Sequence, residues 1–197
     1  MLFIVFVNKP PVIVRLASSQ QKSENIELFK KELKNRFDLF IKKYGTKRFV
    51  LHVSGHLYSE YELSTFSEII SPFKDKSLVI EYVESPIRLY EQYKGKFRPA
   101  PPGTQLKISN NEIAVLTFPL RRNFSTPDPI LCRGALGDLS TFEEEVKNAY
   151  FLCHGYIGYE NRQIRTPVTV YTASESMRKF INGDYTQLLT FTIPWFI

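Results

Sequence analysis

Cysteine is scarce: the 197 residues hold only Cys132 and Cys153. Two thiols cannot form the disulfide framework of a small secreted domain, and their spacing matches no zinc motif. They are expected to be core thiols in a reducing cytoplasm. Histidine is limited to His52, His56 and His154. No apolar run reaches the roughly 18 residues of a membrane-crossing helix. The N-terminal run MLFIVFV has no basic flank, and Lys9-Pro10-Pro11 cuts it early. It is therefore expected to be a buried strand and not a secretory signal. There is no internal repeat, no low-complexity tract and no G-x-S-x-G pattern of a nucleophile elbow.

What is present suits one globular domain. Hydrophobic residues make up 43%, aromatic residues 14% and charged residues 23%, enough to bury a sizeable core at ordinary surface polarity. The net charge of +6 is compatible with a polyanionic partner.

Periodicity assigns the elements. Residues 2–7 and 12–17 are β-branched runs that read as paired strands. From Glu24 to Tyr44, Ile26, Phe29, Leu33, Phe37, Phe40 and Tyr44 follow helical spacing, and Gly45 ends the pattern. Phe49–Val53 reads as a buried strand. Ser59 and Glu62 form a capping box for a helix that Pro72 stops, and Leu78–Val83 is a further strand. This order argues for an α/β layer structure. Residues 85–103, with four prolines and Arg88, Lys94, Lys96 and Arg98, read as a basic loop. Thr104–Ile108 and Glu112–Phe118 flank Ser109-Asn110-Asn111 as a hairpin. Arg121 to Asp128 is a second basic loop, and Ile130–Arg133 a short strand. Ser140 and Glu143 form a capping box for a helix to His154. Pro167–Tyr171 reads as extended. Thr172 and Glu175 cap a last helix, and an apolar tail runs from Leu188 to Ile197.

The stretch FVLHVSGHLYSEYELSTF, from Phe49, turns a strand into a helix at Ser54-Gly55. Such corners often carry a catalytic carboxylate, but here the residue is a hydroxyl. A nucleophilic Ser54 needs a base, and His52 shares its strand face if the strand continues regularly. The four-residue gap between His52 and His56 pairs imidazoles for zinc only on a helix, and a Gly turn intervenes here. The plain reading is a turn residue. Lys30 to Lys43 reads as a solvated helix face. Arg121, Arg122, Arg162 and Arg165 lie in loops flanking strand ends, where they are candidates for phosphate contacts.

The segments Pro102-Gly103-Thr104, Ser125-Thr126-Pro127, Leu152-Cys153-His154 and Pro167-Val168-Thr169-Val170-Tyr171-Thr172-Ala173 follow one another at close intervals, behind His52-Val53-Ser54-Gly55. Over roughly residues 45 to 197 this order resembles the C-terminal half of the PIWI domain of prokaryotic Argonaute proteins. The resemblance implies a ribonuclease H-like fold, a mixed sheet flanked by helices, spanning residues 1–197 as a single PIWI-like domain. Cleaving members hold two divalent metals on carboxylates. The second carboxylate of that set would fall at Ser54 and the last ligand at Ser174, both hydroxyls here. The first belongs on the first core strand, and LFIVFV contains none: either that strand has lost it, or this chain begins one strand later than a full PIWI domain. The implied protein is slicer-inactive, with no cofactor for catalysis. It would take part in guided binding of foreign DNA or RNA in host defence.

The resemblance also places a basic residue for the guide 5′ phosphate at Lys179, with Arg178 beside it. In some members the terminal carboxylate, here Ile197, ligates a magnesium-type cation at that phosphate. The family's MID domain does not fit within these residues, so a partner chain supplying MID is expected. Two other readings stand beside this one. One is an active nuclease recruiting Glu60, Glu62, Glu81, Glu84 or Asp138. The other is a structural subunit that does not touch nucleic acid.

Overall fold

The computed structural model describes residues 2–7, 9–15, helical positions within 31–42, and 48–57, 60–117, 128–154, 165–171 and 174. At its centre is a five-stranded sheet in the order β3-β4-β9-β8-β7. Its strands are β3 (Phe49–Ser54), β4 (Ser77–Glu84), β7 (Gln105–Ser109), β8 (Glu112–Val115) and β9 (Ile130–Gly137). β3 and β4 are parallel, and all other pairs in this sheet are antiparallel. A separate antiparallel pair, β1 (Leu2–Val7) and β2 (Lys9–Arg15), lies beside β3 through β1. Pro10 and Pro11 sit within β2, which among the described residues pairs with β1 alone; an edge strand tolerates the missing N–H donors.

Helices cover both faces. α1 (Glu60–Ile70) and the helical positions within 31–42 bury Phe66, Ile69, Ile70 and Phe37 against Phe49, Leu51, Val53 and Val79. On the other face α2 (Phe142–His154) seats Phe142, Val146 and Ala149 against Leu78, Ile80, Ile113, Val115, Ile130 and Cys132. β4 is buried from Ser77 to Tyr82 because both of its faces are covered, as expected for an inner strand of a layered α/β sheet. Among the described residues, no helix is long and apolar enough to cross a membrane.

Four sequence readings change. The 85–103 loop contains a hairpin, β5 (Tyr90–Tyr93) and β6 (Lys96–Pro99), closed by Lys94-Gly95. Both turn residues have positive φ, 50° and 73°, which is what a two-residue type I′ turn requires. β9 runs four residues beyond Arg133, because Gly134 to Gly137 continue its pairing with β4. Asp138, not Ser140, is the cap before α2. Its carboxylate accepts from the Ser140 N–H at 3.0 Å and heads a short 3-10 turn, Leu139–Thr141. Residues 168–171 are helical, not extended, with the Tyr171 N–H bonded to the Pro167 carbonyl at 2.9 Å. Burial of Val168, Thr169 and Val170 overrides their β-branched preference, and proline at the start of a helical turn forfeits no hydrogen bond. The described positions of the Glu24–Tyr44 pattern are helical. Ser59, Gly45, Thr172, Glu175 and the tail from Leu188 lie outside the described residues.

Gly137 marks the tightest backbone approach. Its φ is +95°, and an added Cβ would lie 2.0 Å from the Ser77 carbonyl oxygen. Gly95 also has positive φ, but a Cβ there meets nothing within 4 Å. Gly137→Ala is therefore expected to cost about 3 kcal/mol and Gly95→Ala about 1 kcal/mol, measured by urea unfolding. Equal costs would contradict the close approach.

Candidate functional site at the end of the third strand

β3 alternates buried Phe49, Leu51 and Val53 with Val50, His52 and Ser54 on the opposite face, and Ser54 is exposed at its end. Ser54 stands in register with Tyr82, and the Gly55 N–H extends the ladder by donating to the Tyr82 carbonyl at 2.9 Å. The chain then passes His56 and Leu57 into α1.

Glu81 holds that passage. It is 3% exposed and sits in a row across the sheet, beside Val53 on β3 and Arg133 on β9, with Glu112 next on β8. One carboxylate oxygen accepts from the Leu57 N–H at 2.8 Å, and the other lies 3.1 Å from His56 Nδ1. A carboxylate only accepts, so Nδ1 carries the proton in this contact. Arg133 lies 3.9 Å from Glu81 and engages Glu112 through Nε at 2.8 Å and a terminal nitrogen at 2.7 Å. The alternation of acid, base and acid compensates a buried charge that would otherwise be costly.

The other face carries a different set. His52 Nδ1 is 2.8 Å from Thr169 Oγ1, and the His52 ring lies 5.1 Å from that of Tyr82. Burial pulls the His52 pKa down to about 4, so the ring is neutral near pH 7. The Tyr82 hydroxyl is pushed well above its ordinary value, chiefly by burial, and has no hydrogen-bond partner among the described residues. The thiols are buried: burial raises Cys132 far above the usual range and Cys153 to about 12. Neither is a thiolate nucleophile.

These contacts decide several sequence readings. His52 and Ser54 share a face, but the Nδ1 of His52 is held by Thr169. Glu81 and Tyr82 are neighbours on one strand, so their side chains leave opposite faces. His56 bonds the first and His52 packs on the second, so the two imidazoles cannot share a zinc ion. Cys153 is in the core, its thiol donating to the Ala149 carbonyl at 3.3 Å. Asp138 lies at the far end of the sheet: its N–H bonds the Ser77 carbonyl, whereas Ser54 pairs with Tyr82. Five residues of β4 separate those points, about 16 Å. Of the acids considered, Glu81 lies beside the corner but is bonded to Leu57 and His56, and Glu84, two residues beyond Tyr82 on β4, has its side chain 94% exposed. Among the described residues no three His, Cys, Asp or Glu side chains gather as a metal site. The described donors around Ser54 do not by themselves make a two-metal cage, because hard cations need several anionic oxygens together.

Arg165 comes to the same end of the sheet. One terminal nitrogen donates to the Pro129 carbonyl at 3.2 Å, and the other lies 4.0 Å from Glu84. Its backbone carbonyl accepts from Thr117 Oγ1 at 2.8 Å. The segment that carries Arg165 thus continues through Thr169, which is tied to His52, toward Ser174, which is helical and exposed. Arg121, Arg122, Arg162, Arg178, Lys179 and Ile197 lie outside the described residues. Sequence reading missed the Glu81–Arg133–Glu112 row. The signal was a lone acid inside an apolar strand, LVIEYV, and buried charges of that kind are paired.

A neutral, buried His52 makes stability depend on pH. The unfolded ring takes a proton near pH 6.5 and the folded one near 4, so between these values the unfolded chain binds the extra proton. Stability is expected to fall by about 2 kcal/mol as pH drops through that window, a figure reduced for the ring's partial exposure. His52→Gln should remove this dependence in urea titrations at several pH values. An unchanged slope in that variant would contradict the assignment.

No family model matches the chain, and no curated protein matches it. Solved structures do. Clostridium butyricum Argonaute bound to a guide DNA and a 19-mer target DNA is 18% identical, with a TM-score of 0.65 over 87% of this chain and 22% of that one. The Aa-Ago protein with externally bound siRNA is 19% identical, with a TM-score of 0.59 over 80% and 21%. The C-terminal lobe of a budding yeast Argonaute is 12% identical, with a TM-score of 0.54 over 94% and 44%. This chain spans from about a fifth to less than half of those chains. The shared feature is the fold: a PIWI-like, ribonuclease H-like mixed sheet flanked by helices.

Proposed function

We propose that this chain is the PIWI module of an Argonaute-type protein that holds guide and target nucleic acid without cutting it. The observation that carries this reading is the end of β3 within a PIWI-like fold. Ser54 stands exposed where the resemblance places a metal-binding carboxylate, and the nearest buried acid, Glu81, is occupied by Leu57 and His56. A hydroxyl cannot supply the charge a divalent cation needs at that point, and Ser174 repeats the substitution. The net charge of +6 supports a backbone grip on a polyanion, with sequence read by base pairing. Solved proteins of the same fold carry guide and target strands.

On this reading Lys179, Arg178, Arg162, Arg165, Arg121 and Arg122 contact phosphates. The C-terminal carboxylate of Ile197 would hold a magnesium ion at the guide 5′ phosphate. A partner chain supplies the MID function, and the pair acts in the cytoplasm in prokaryotic host defence. Any cutting belongs to an associated effector. The nuclease reading has Glu84 as its best exposed acid, and among the described residues no three His, Cys, Asp or Glu side chains gather to hold a metal ion.

The test is binding of a 5′-phosphorylated guide and its complementary target across a salt series, with and without a MID-containing chain. Affinity is expected to fall steeply with salt, and Arg178→Glu with Lys179→Glu to weaken it at least about ten-fold. The target should stay intact in manganese. Guided cuts, or no salt-dependent binding in either mixture, would overturn the proposal. Binding untouched by the double reversal would favour the structural-subunit reading.

A further inference from the structure

The β5–β6 hairpin has a chemistry that the corner at Ser54 does not explain. Its base is anchored, since Leu89, Ala100 and Leu116 form a small buried cluster and the Ala100 N–H bonds the Leu89 carbonyl at 3.1 Å. Its blade is open. Phe97 is 77% exposed, Tyr90 53% and Tyr93 49%. An isolated two-stranded ribbon is marginal in water, and the open Phe97 ring leaves apolar surface exposed on it.

Register divides the blade. Gln92 faces Phe97 and Tyr90 faces Pro99 on one side, while Tyr93 faces Lys96 and Glu91 faces Arg98 on the other. On the second side the Arg98 guanidinium carbon lies 4.1 Å from the Tyr93 ring centre, and Arg98 also pairs with Glu91. Lys94 Nζ, at the turn, lies 5.3 Å from the same ring. One side thus offers an open Phe97 ring, and the other a ring already stacked with cations.

We infer that this hairpin is a stacking site for unpaired bases of a single-stranded nucleic acid that wraps the blade, with Phe97 as the main platform on one side and Lys94 at the turn and Lys96 and Arg98 on the other side available to phosphates. The inference rests on the nucleic-acid reading above only in taking a polyanion as the ligand. An open ring on one side of a narrow ribbon and cations at its turn and on its other side fit a strand that offers both π faces and phosphates. A duplex hides its base faces, so the rings select the unpaired stretch. An apolar protein partner would not call for three cations on the same blade.

The experiment measures the anisotropy of a labelled oligo(dT) of about fifteen nucleotides, and of a guide–target duplex, with the full chain. Phe97→Ala is expected to weaken single-strand binding about ten-fold and leave duplex binding within about two-fold. Phe97→Trp should retain binding, and its added fluorescence should be quenched by the oligonucleotide. Single-strand binding unchanged by Phe97→Ala, an equal loss on the duplex, or a change of oligomeric state in Phe97→Ala would each overturn the inference. Wild-type protein that binds the duplex but no single strand sinks this inference and leaves the proposed function standing. Binding of the single strand through Phe97 with no duplex binding does the reverse.

Discussion

A carboxylate buried to 3% exposure has to fill its lone pairs or lose its charge. Glu81 fills them with the backbone N–H of Leu57 and the imidazole of His56, and borrows the field of Arg133. That constraint fixes the path from β3 into α1, and with it the position of Ser54 and Gly55. The same bonds occupy Glu81, so the acid closest to the corner is committed to structure. On the opposite face His52 holds Thr169 and so draws residues 165–171 to the end of the sheet, carrying Arg165 with them. Two polar contacts, one on each face, thus position the end of the sheet that carries Ser54.

Much of this was legible in the residues. The apolar runs at 49–53 and 78–83, the hairpin around Ser109-Asn110-Asn111 and the helix ending at His154 all carry period signals that their packing preserves. Three features were masked by competing local signals. The run VTV at 168–170 looks like a strand, but the helical turn that starts at Pro167 buries those side chains. The hairpin at 90–99 hides among prolines and charges, because its alternation carries exposed aromatics in place of a buried face. Asp138 caps the turn before α2 because the chain leaves β9 one turn earlier than Ser140 suggests. The motif order that resembles PIWI pointed to the fold. The partners of His52, His56 and Glu81 were not legible, because they depend on strands far apart in sequence.

The two surfaces divide the proposed work. The end of β3 offers fixed geometry, with Glu81 bonded to Leu57 and His56 and Glu84 lying 4.0 Å from Arg165. The β5–β6 hairpin offers rings and cations on a ribbon anchored only at its base. On the proposed reading such a module would hold nucleic acid by charge, shape and stacking and leave chemistry to another chain.

The central claim is that the corner at Ser54 holds no catalytic divalent metal. Thermal unfolding with increasing manganese tests it directly, since any ion bound to the folded state raises the melting temperature by mass action. The account expects the same response to manganese in the wild-type chain and in Ser54→Lys, which places a cation at the corner. A manganese-dependent rise that Ser54→Lys abolishes would contradict it.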